Sequence, residues 1–285
     1  MSTITDDAGQ LPGRATLDTV PVDARVPGPG AALRSQWLSF ATLRTNWYVL
    51  GAAAVVMVLV GTVAAAAVGS DAPAPGGPSF ASGDPLQTVL TGANFSVLLV
   101  GVLGCLVGAR EHGSRMVVTT FVATPHRGRV LLARAVVLAG VVVPTSLVAT
   151  VGAFLAGNAV LDARGEPSLT LSSDGVLGQL LGMTGWLTAV ALLGMGLGLL
   201  TRTIASSVGA LMAVVLIAPP IVGALLPDSA DEVLQVLPSN AAAAITTVQA
   251  SGDITIDGAT GSAILVAWVV VVLGLAARSV VRRDV

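Results

Sequence analysis

Six runs of uncharged, mostly apolar residues constrain this chain more than any other feature. They fall at about 48–68, 88–109, 135–157, 176–200, 203–226 and 259–277, and none contains an Asp, Glu or Arg. Each is close to the ~20 residues that carry a helix across ~30 Å of hydrocarbon at ~1.5 Å per residue. A water-soluble bundle needs a polar stripe along each helix, and these runs have none. Composition agrees: 54% of the chain is apolar and only 11% charged, against about a quarter charged in a soluble domain. The expected fold class is an all-α membrane protein with six transmembrane helices.

The charges between the runs set the topology. Arg14, Arg25, Arg34 and Arg44 precede the first run. Arg110, Arg115, Arg127, Arg129 and Arg134 lie between the second and third, Arg202 between the fourth and fifth, and Arg278, Arg282 and Arg283 after the sixth. The alternate loops hold a single Arg, Arg164. They hold instead Asp71, Asp84, Asp162, Glu166, Asp174, Asp228, Asp231, Glu232, Asp253 and Asp257. Basic residues are retained on the cytoplasmic side, so both termini are expected there.

The rest divides by composition. Residues 1–30 are polar, rich in Asp, Pro and Gly, and read as a disordered cytoplasmic tail. Asp6 and Asp7 stand where a signal peptide would be basic. Over 31–47, Leu33, Trp37, Phe40, Leu43 and Trp47 share one helical face flanked by Arg34 and Arg44. That pattern predicts an interfacial amphipathic helix. Residues 48–285 form the six-helix domain. The outer segment 69–87 reads as a flexible loop. The longer outer segment 227–258 carries a mildly apolar stretch from Val233 to Val248, broken by Pro238. It reads either as a surface loop or as candidate re-entrant helices, which need protein to cover their non-helical backbone.

Several chemistries are excluded by residues the chain lacks. Every basic residue is Arg, so a Walker A loop, which needs Lys, cannot be present, nor can a Schiff-base lysine. Cys105 is the only cysteine, so no intramolecular disulfide forms, and it reads as a small packing residue in a span. The two histidines, His112 and His126, share one cytoplasmic loop, which leaves the spans without an Asp, Glu or His for intramembrane proteolysis or proton relay. No catalytic, cofactor-binding or metal site is expected.

That loop, 110–134, is the most informative segment. Ser114 is a fitting N-cap and Pro125 a terminator for a short helix over 114–124, with Met116 and Phe121 as apolar anchors. The β-branched run Val117–Thr120 argues locally for strand. Arg129 and Arg134 fit a purely topological role as well as any other. Polar or helix-breaking residues within the spans either line a path or serve packing. Asn94, Phe95, Ser206, Ser207, Pro219 and Pro220 are the path-lining candidates, and Gln179 and Thr184 are further polar side chains. GxxxG pairs occur at Gly104/Gly108, Gly178/Gly182 and Gly194/Gly198, but the chain has 33 glycines and such pairs arise readily by chance.

Four features in order give the chain a family resemblance. They are the entry Leu33-Arg34-Ser35-Gln36-Trp37 to Leu43-Arg44-Thr45-Asn46-Trp47, the loop Glu111-His112-Gly113 to Thr124-Pro125-His126-Arg127-Gly128-Arg129, Leu237-Pro238-Ser239-Asn240 before the last run, and the ending Arg282-Arg283-Asp284-Val285. Over residues 31–285 the chain resembles ABC-2 permeases, the six-span membrane subunits of bacterial ABC exporters. It departs at Arg134, where the family often has Lys. The resemblance implies a homodimer, or else a pair of different permeases, in the bacterial plasma membrane, served by two copies of a separate ATPase that binds ATP and Mg. It implies a coupling segment of Glu111, His112, Gly113, Ser114, Arg115, Met116, Phe121, Pro125 and Arg127, and re-entrant helices within 227–258. It implies no enzyme activity and no nucleic-acid partner for this chain. The apolar spans suit an amphipathic or lipophilic substrate, such as an antibiotic. Set against this reading are a gradient-driven secondary transporter and a non-transporting immunity or assembly module.

Overall fold

The computed structural model describes residues 29–68, 85–113, 127–173, 175–225, 234–247 and 256–282. Residues 1–28 of the expected tail, the loop helix over 114–124 and the last residues of the chain lie outside them, while Pro29 and Gly30, expected in the tail, open the first helix. Among the described residues every regular element is a helix. They are α1 (Pro29–Ala41), α2 (Arg44–Ala67), α3 (Pro85–Leu90), α4 (Ala93–Gly113), α5 (Arg127–Ala163), α6 (Val176–Thr201), α7 (Ile204–Met212), a π-helical turn (Ala213–Ile217), α8 (Ala218–Leu225), α9 (Pro238–Thr246) and α10 (Gly258–Arg282). Six segments are long and apolar enough to cross a membrane: Arg44–Ala67, Pro85–Arg110, Val130–Ala163, Val176–Thr201, Ile204–Leu225 and Gly258–Ser279. This is the architecture of a multi-pass membrane protein.

The fourth span, α6, is the hub. It packs on α4, α5, α7, α9 and α10, and its Val190, Ala191 and Met195 are fully buried. Small residues make this approach possible. A Cβ at Gly104 or Gly108 would run into the carbonyls of Ala191 or Met195, and one at Gly194 or Gly198 into those of Gly101 or Cys105. The pairings advance together along both helices, so α4 and α6 run parallel with backbones nearly touching. Two of the three GxxxG pairs are therefore halves of one interface within the chain. In the third pair, Gly182 meets the Ile245 carbonyl, while nothing approaches Gly178. In lipid, dispersion and close packing must supply the helix association that the hydrophobic effect supplies in water.

The first helix departs from expectation. The helix predicted over 31–47 is broken at Thr42–Leu43, so Arg44 and Trp47 stand in the first turn of the first span rather than on an interfacial helix. Its apolar residues also divide: Phe40 is buried, whereas Leu33, Trp37, Leu43 and Trp47 are more than a third exposed. The reason is local. Side chains of α2 fold back onto carbonyls near the end of α1, and those bonds fix an elbow where helical spacing alone reads one continuous face. Pro144 lies within α5, which runs unbroken past it.

The fifth span is interrupted. The Ala218 N–H reaches back five residues to the Ala213 carbonyl, giving the π turn. Pro219 and Pro220 follow and have no N–H. The Val215 carbonyl thus has no helical donor at either four or five residues' distance, and a widened turn is the local adjustment.

Candidate functional site

At one end of the bundle the N-terminal helices join both ends of the loop that leads from the second span to the third. Asn46 is fully buried in the first turn of α2. Its Nδ2 donates to the Phe40 carbonyl at 3.0 Å, and its Oδ1 accepts from Arg110 Nη1 at 2.9 Å. Trp47 Nε1 donates to the Ala41 carbonyl at 3.2 Å, and the Phe40 and Trp47 rings meet edge to face at 6.2 Å. Arg134, on α5, donates through Nε to Gln36 Oε1 on α1 at 3.1 Å. Arg110 sits three residues before α4 ends at Gly113 and Arg134 seven after α5 begins at Arg127, so they flank the loop.

The coupling residues expected there are placed only in part. Glu111, His112 and Gly113 form the last turn of α4, which runs past the expected span end at 109, and Arg127 opens α5 well before 135. Ser114, Arg115, Met116, Phe121 and Pro125 lie outside the described residues.

At the opposite end of the bundle, α9 runs antiparallel to the last span. A Cβ at Gly258 would meet the Ala244 carbonyl and one at Gly261 the Ala241 carbonyl, while Trp268 Nε1 donates to the Val236 carbonyl at 2.8 Å. Trp268 is ten residues past the start of α10, so the chain before α9 lies about 15 Å along that helix. Pro238 begins α9 at a position where its missing N–H costs nothing. Asn240 Nδ2 donates to the Leu234 carbonyl at 2.8 Å. Gln179 of α6 donates to the Thr246 carbonyl at the other end of α9, and Ala241 and Ala242 of α9 are buried.

The path-lining candidates do not gather into one site within the chain. The Gly101 backbone is level with the Leu211 side chain, which places Asn94 and Ser207 about 16 Å apart along the helix axes. Asn94, Phe95, Ser206 and Pro220 are exposed, and Pro219 is half-buried. Ser207 is fully buried and its hydroxyl donates to the Ile204 carbonyl at 2.8 Å, so it faces packing rather than a path. Phe95 borders an apolar groove of about 260 Å³ with Leu59, Val60, Val63 and Ala64. Among the described residues, no three His, Cys, Asp or Glu side chains cluster as metal ligands would.

Sequence reasoning passed over Gln36, Asn46, Arg110 and Trp268 as structural anchors. The signal for Asn46 was present, since an amide at the edge of an apolar run needs a partner once buried. No family model matches the chain, and no curated protein matches it.

Proposed function

We propose that the chain is the permease subunit of an ABC exporter in the plasma membrane of a bacterium, with both termini cytoplasmic. The observation that carries this reading is α9. It is a short helix on the side rich in acidic loops, and the register of Ala244 on Gly258 and Ala241 on Gly261 carries its first residue about 9 Å along the last span, inside a ~30 Å hydrocarbon core. Irregular backbone at such depth is tolerated only where protein covers it, and α6, α10 and the π turn of the fifth span all touch α9. That is the form a re-entrant outer element takes, and the ABC-2 resemblance implies one in this segment.

In this reading the segment from Glu111 to Arg127 docks on a separate ATPase that binds ATP and Mg. Two copies of the permease enclose the path, with Asn94, Phe95, Ser206, Pro219 and Pro220 as the residues offered to it. ATP draws the two ATPases together, the docked loops move as levers, and access passes from inside to outside. An amphipathic or lipophilic substrate biases this equilibrium only through its different affinity for the two states.

The test is a pull-down of the tagged chain from mild detergent, beside Phe121→Asp and Glu111→Arg. Wild type should bring down an ATP-hydrolysing chain at a one-to-one ratio, and each variant should lose most of it. A wild-type chain that binds no ATPase ends the permease reading.

A further inference from the structure

The two arginines that flank the loop between the second and third spans both bond to the N-terminal helix pair. Arg110 meets Asn46 at 2.9 Å, and Arg134 meets Gln36 at 3.1 Å. Asn46 also holds the Phe40 carbonyl, so one buried amide links α1, α2 and α4. Its orientation is forced: a guanidinium only donates and a carbonyl only accepts, so only one rotamer of the amide satisfies both. The Trp47 bond to the Ala41 carbonyl and the Phe40–Trp47 ring contact stiffen the same elbow. The α1 helix itself lies along α5. The result is a stiff piece, α1 with the first turn of α2, fastened near both ends of one loop by charge-assisted hydrogen bonds, which are about twice as strong as neutral ones.

We propose that this piece is a brace across the feet of the loop. Arg110 and Arg134 are positioning residues that make α1 move with the loop instead of independently of it. The brace keeps the two feet at a fixed separation, so a displacement of the loop is passed to the third and first spans together. Its use in transport rests on the permease reading; its existence does not.

Hydrogen exchange on the purified full-length chain in detergent tests it. In Arg110→Gln and in Gln36→Leu, α1 amides should exchange about tenfold faster, the effect of losing one charge-assisted bond that orders the helix. The double variant should exceed either, Arg110→Lys should restore part of the protection, and α6 should be unchanged, which shows that the bundle is intact. Should Arg110→Gln fail to fold, Gln36→Leu reads the same brace from a helix outside the spans. Unchanged α1 exchange in the folded variants overturns the proposal. With the ATPase bound, α1 of wild type should become further protected and α1 of the double variant should not; equal protection in both overturns transmission through the brace. A chain that binds no ATPase yet shows the α1 effect ends the permease reading and leaves the brace standing.

Discussion

The fourth span, Val176–Thr201, and the fifth, Ile204–Leu225, are separated by only two residues, yet 72% of the apolar stretch of the fourth is buried in the bundle against 11% of the fifth. The less buried of the two has the higher mean hydropathy, 2.3 against 1.7. In water that order would be reversed, because burial follows apolarity. In a bilayer the lipid tails solvate Leu and Val as well as a protein interior does, so apolarity puts a helix in the membrane without saying what it touches. Glycine placement separates the two. Gly182, Gly194 and Gly198 of the fourth span sit against neighbouring backbone, whereas Gly209 of the fifth has nothing within 4 Å.

The largest effect should come from closing those contacts. Gly194→Leu drives a side chain into the Gly101 carbonyl and Cys105. Backbone cannot yield as a flexible side chain can, so we expect a loss of about 3 kcal/mol or more, seen as a collapsed melting midpoint in detergent. Gly209→Leu, in the exposed span, should stay within about 0.5 kcal/mol. Comparable damage at both positions would break the comparison, and it would mean that the open face of the fifth span is occupied by another chain.

How legible each region was follows from the same physics. The six spans could be read because lipid demands about twenty charge-free residues in a row and little else produces them. The α4–α6 interface could not. Gly104, Gly108, Gly194 and Gly198 announce that a backbone can be approached closely, but not which partner approaches, and in a glycine-rich chain they look like noise. Pro238, which reads in the sequence as a break in an apolar stretch, is the first residue of α9, and the level of that start along α10 depends on contacts with Gly261 and Trp268 that spacing does not show. The helix over 31–47 misled for a related reason. Its apolar spacing is regular, and the break at Thr42–Leu43 is set by Asn46 and Trp47 turning back on α1.

A smaller effect is expected where one tryptophan holds α9 against the last span. Trp268→Phe keeps the ring and removes the N–H, leaving the Val236 carbonyl without that donor. The expected cost is about 1–2 kcal/mol, read as faster hydrogen exchange over residues 234–247 with the α4–α6 core unchanged. Trp37, 46% exposed on α1, is the control, and Trp37→Phe should change nothing measurable. An equally silent Trp268→Phe would show that α9 is held by packing on Gly261 and Gly182 alone.

The smallest effect concerns how the spans begin. The buried fourth span starts at Gly175 with no side-chain cap. The fifth starts at Thr203, whose hydroxyl accepts from the Ser206 N–H at 3.3 Å. The sixth starts beside Asp257, whose carboxyl is held below the ordinary carboxylate range by the Thr260 hydroxyl and, with it, by the backbone N–H groups of Thr260 and Ala259. The two least buried spans, the fifth and the sixth, thus fix their first turn with a side chain, whereas the first and the fourth start without one. For a carboxylate with a depressed folded pKa, the contribution is complete above the unfolded value of about 3.9 and disappears as pH falls through the folded value. Asn caps a helix as well as Asp but does not titrate. The difference in melting midpoint between wild type and Asp257→Asn should therefore hold steady from pH 7 to about 4, then shift against wild type below that. All other carboxyl groups titrate alike in both proteins and cancel. A difference that stays flat down to pH 3 would show that the cap contributes nothing the packing of α10 does not already supply.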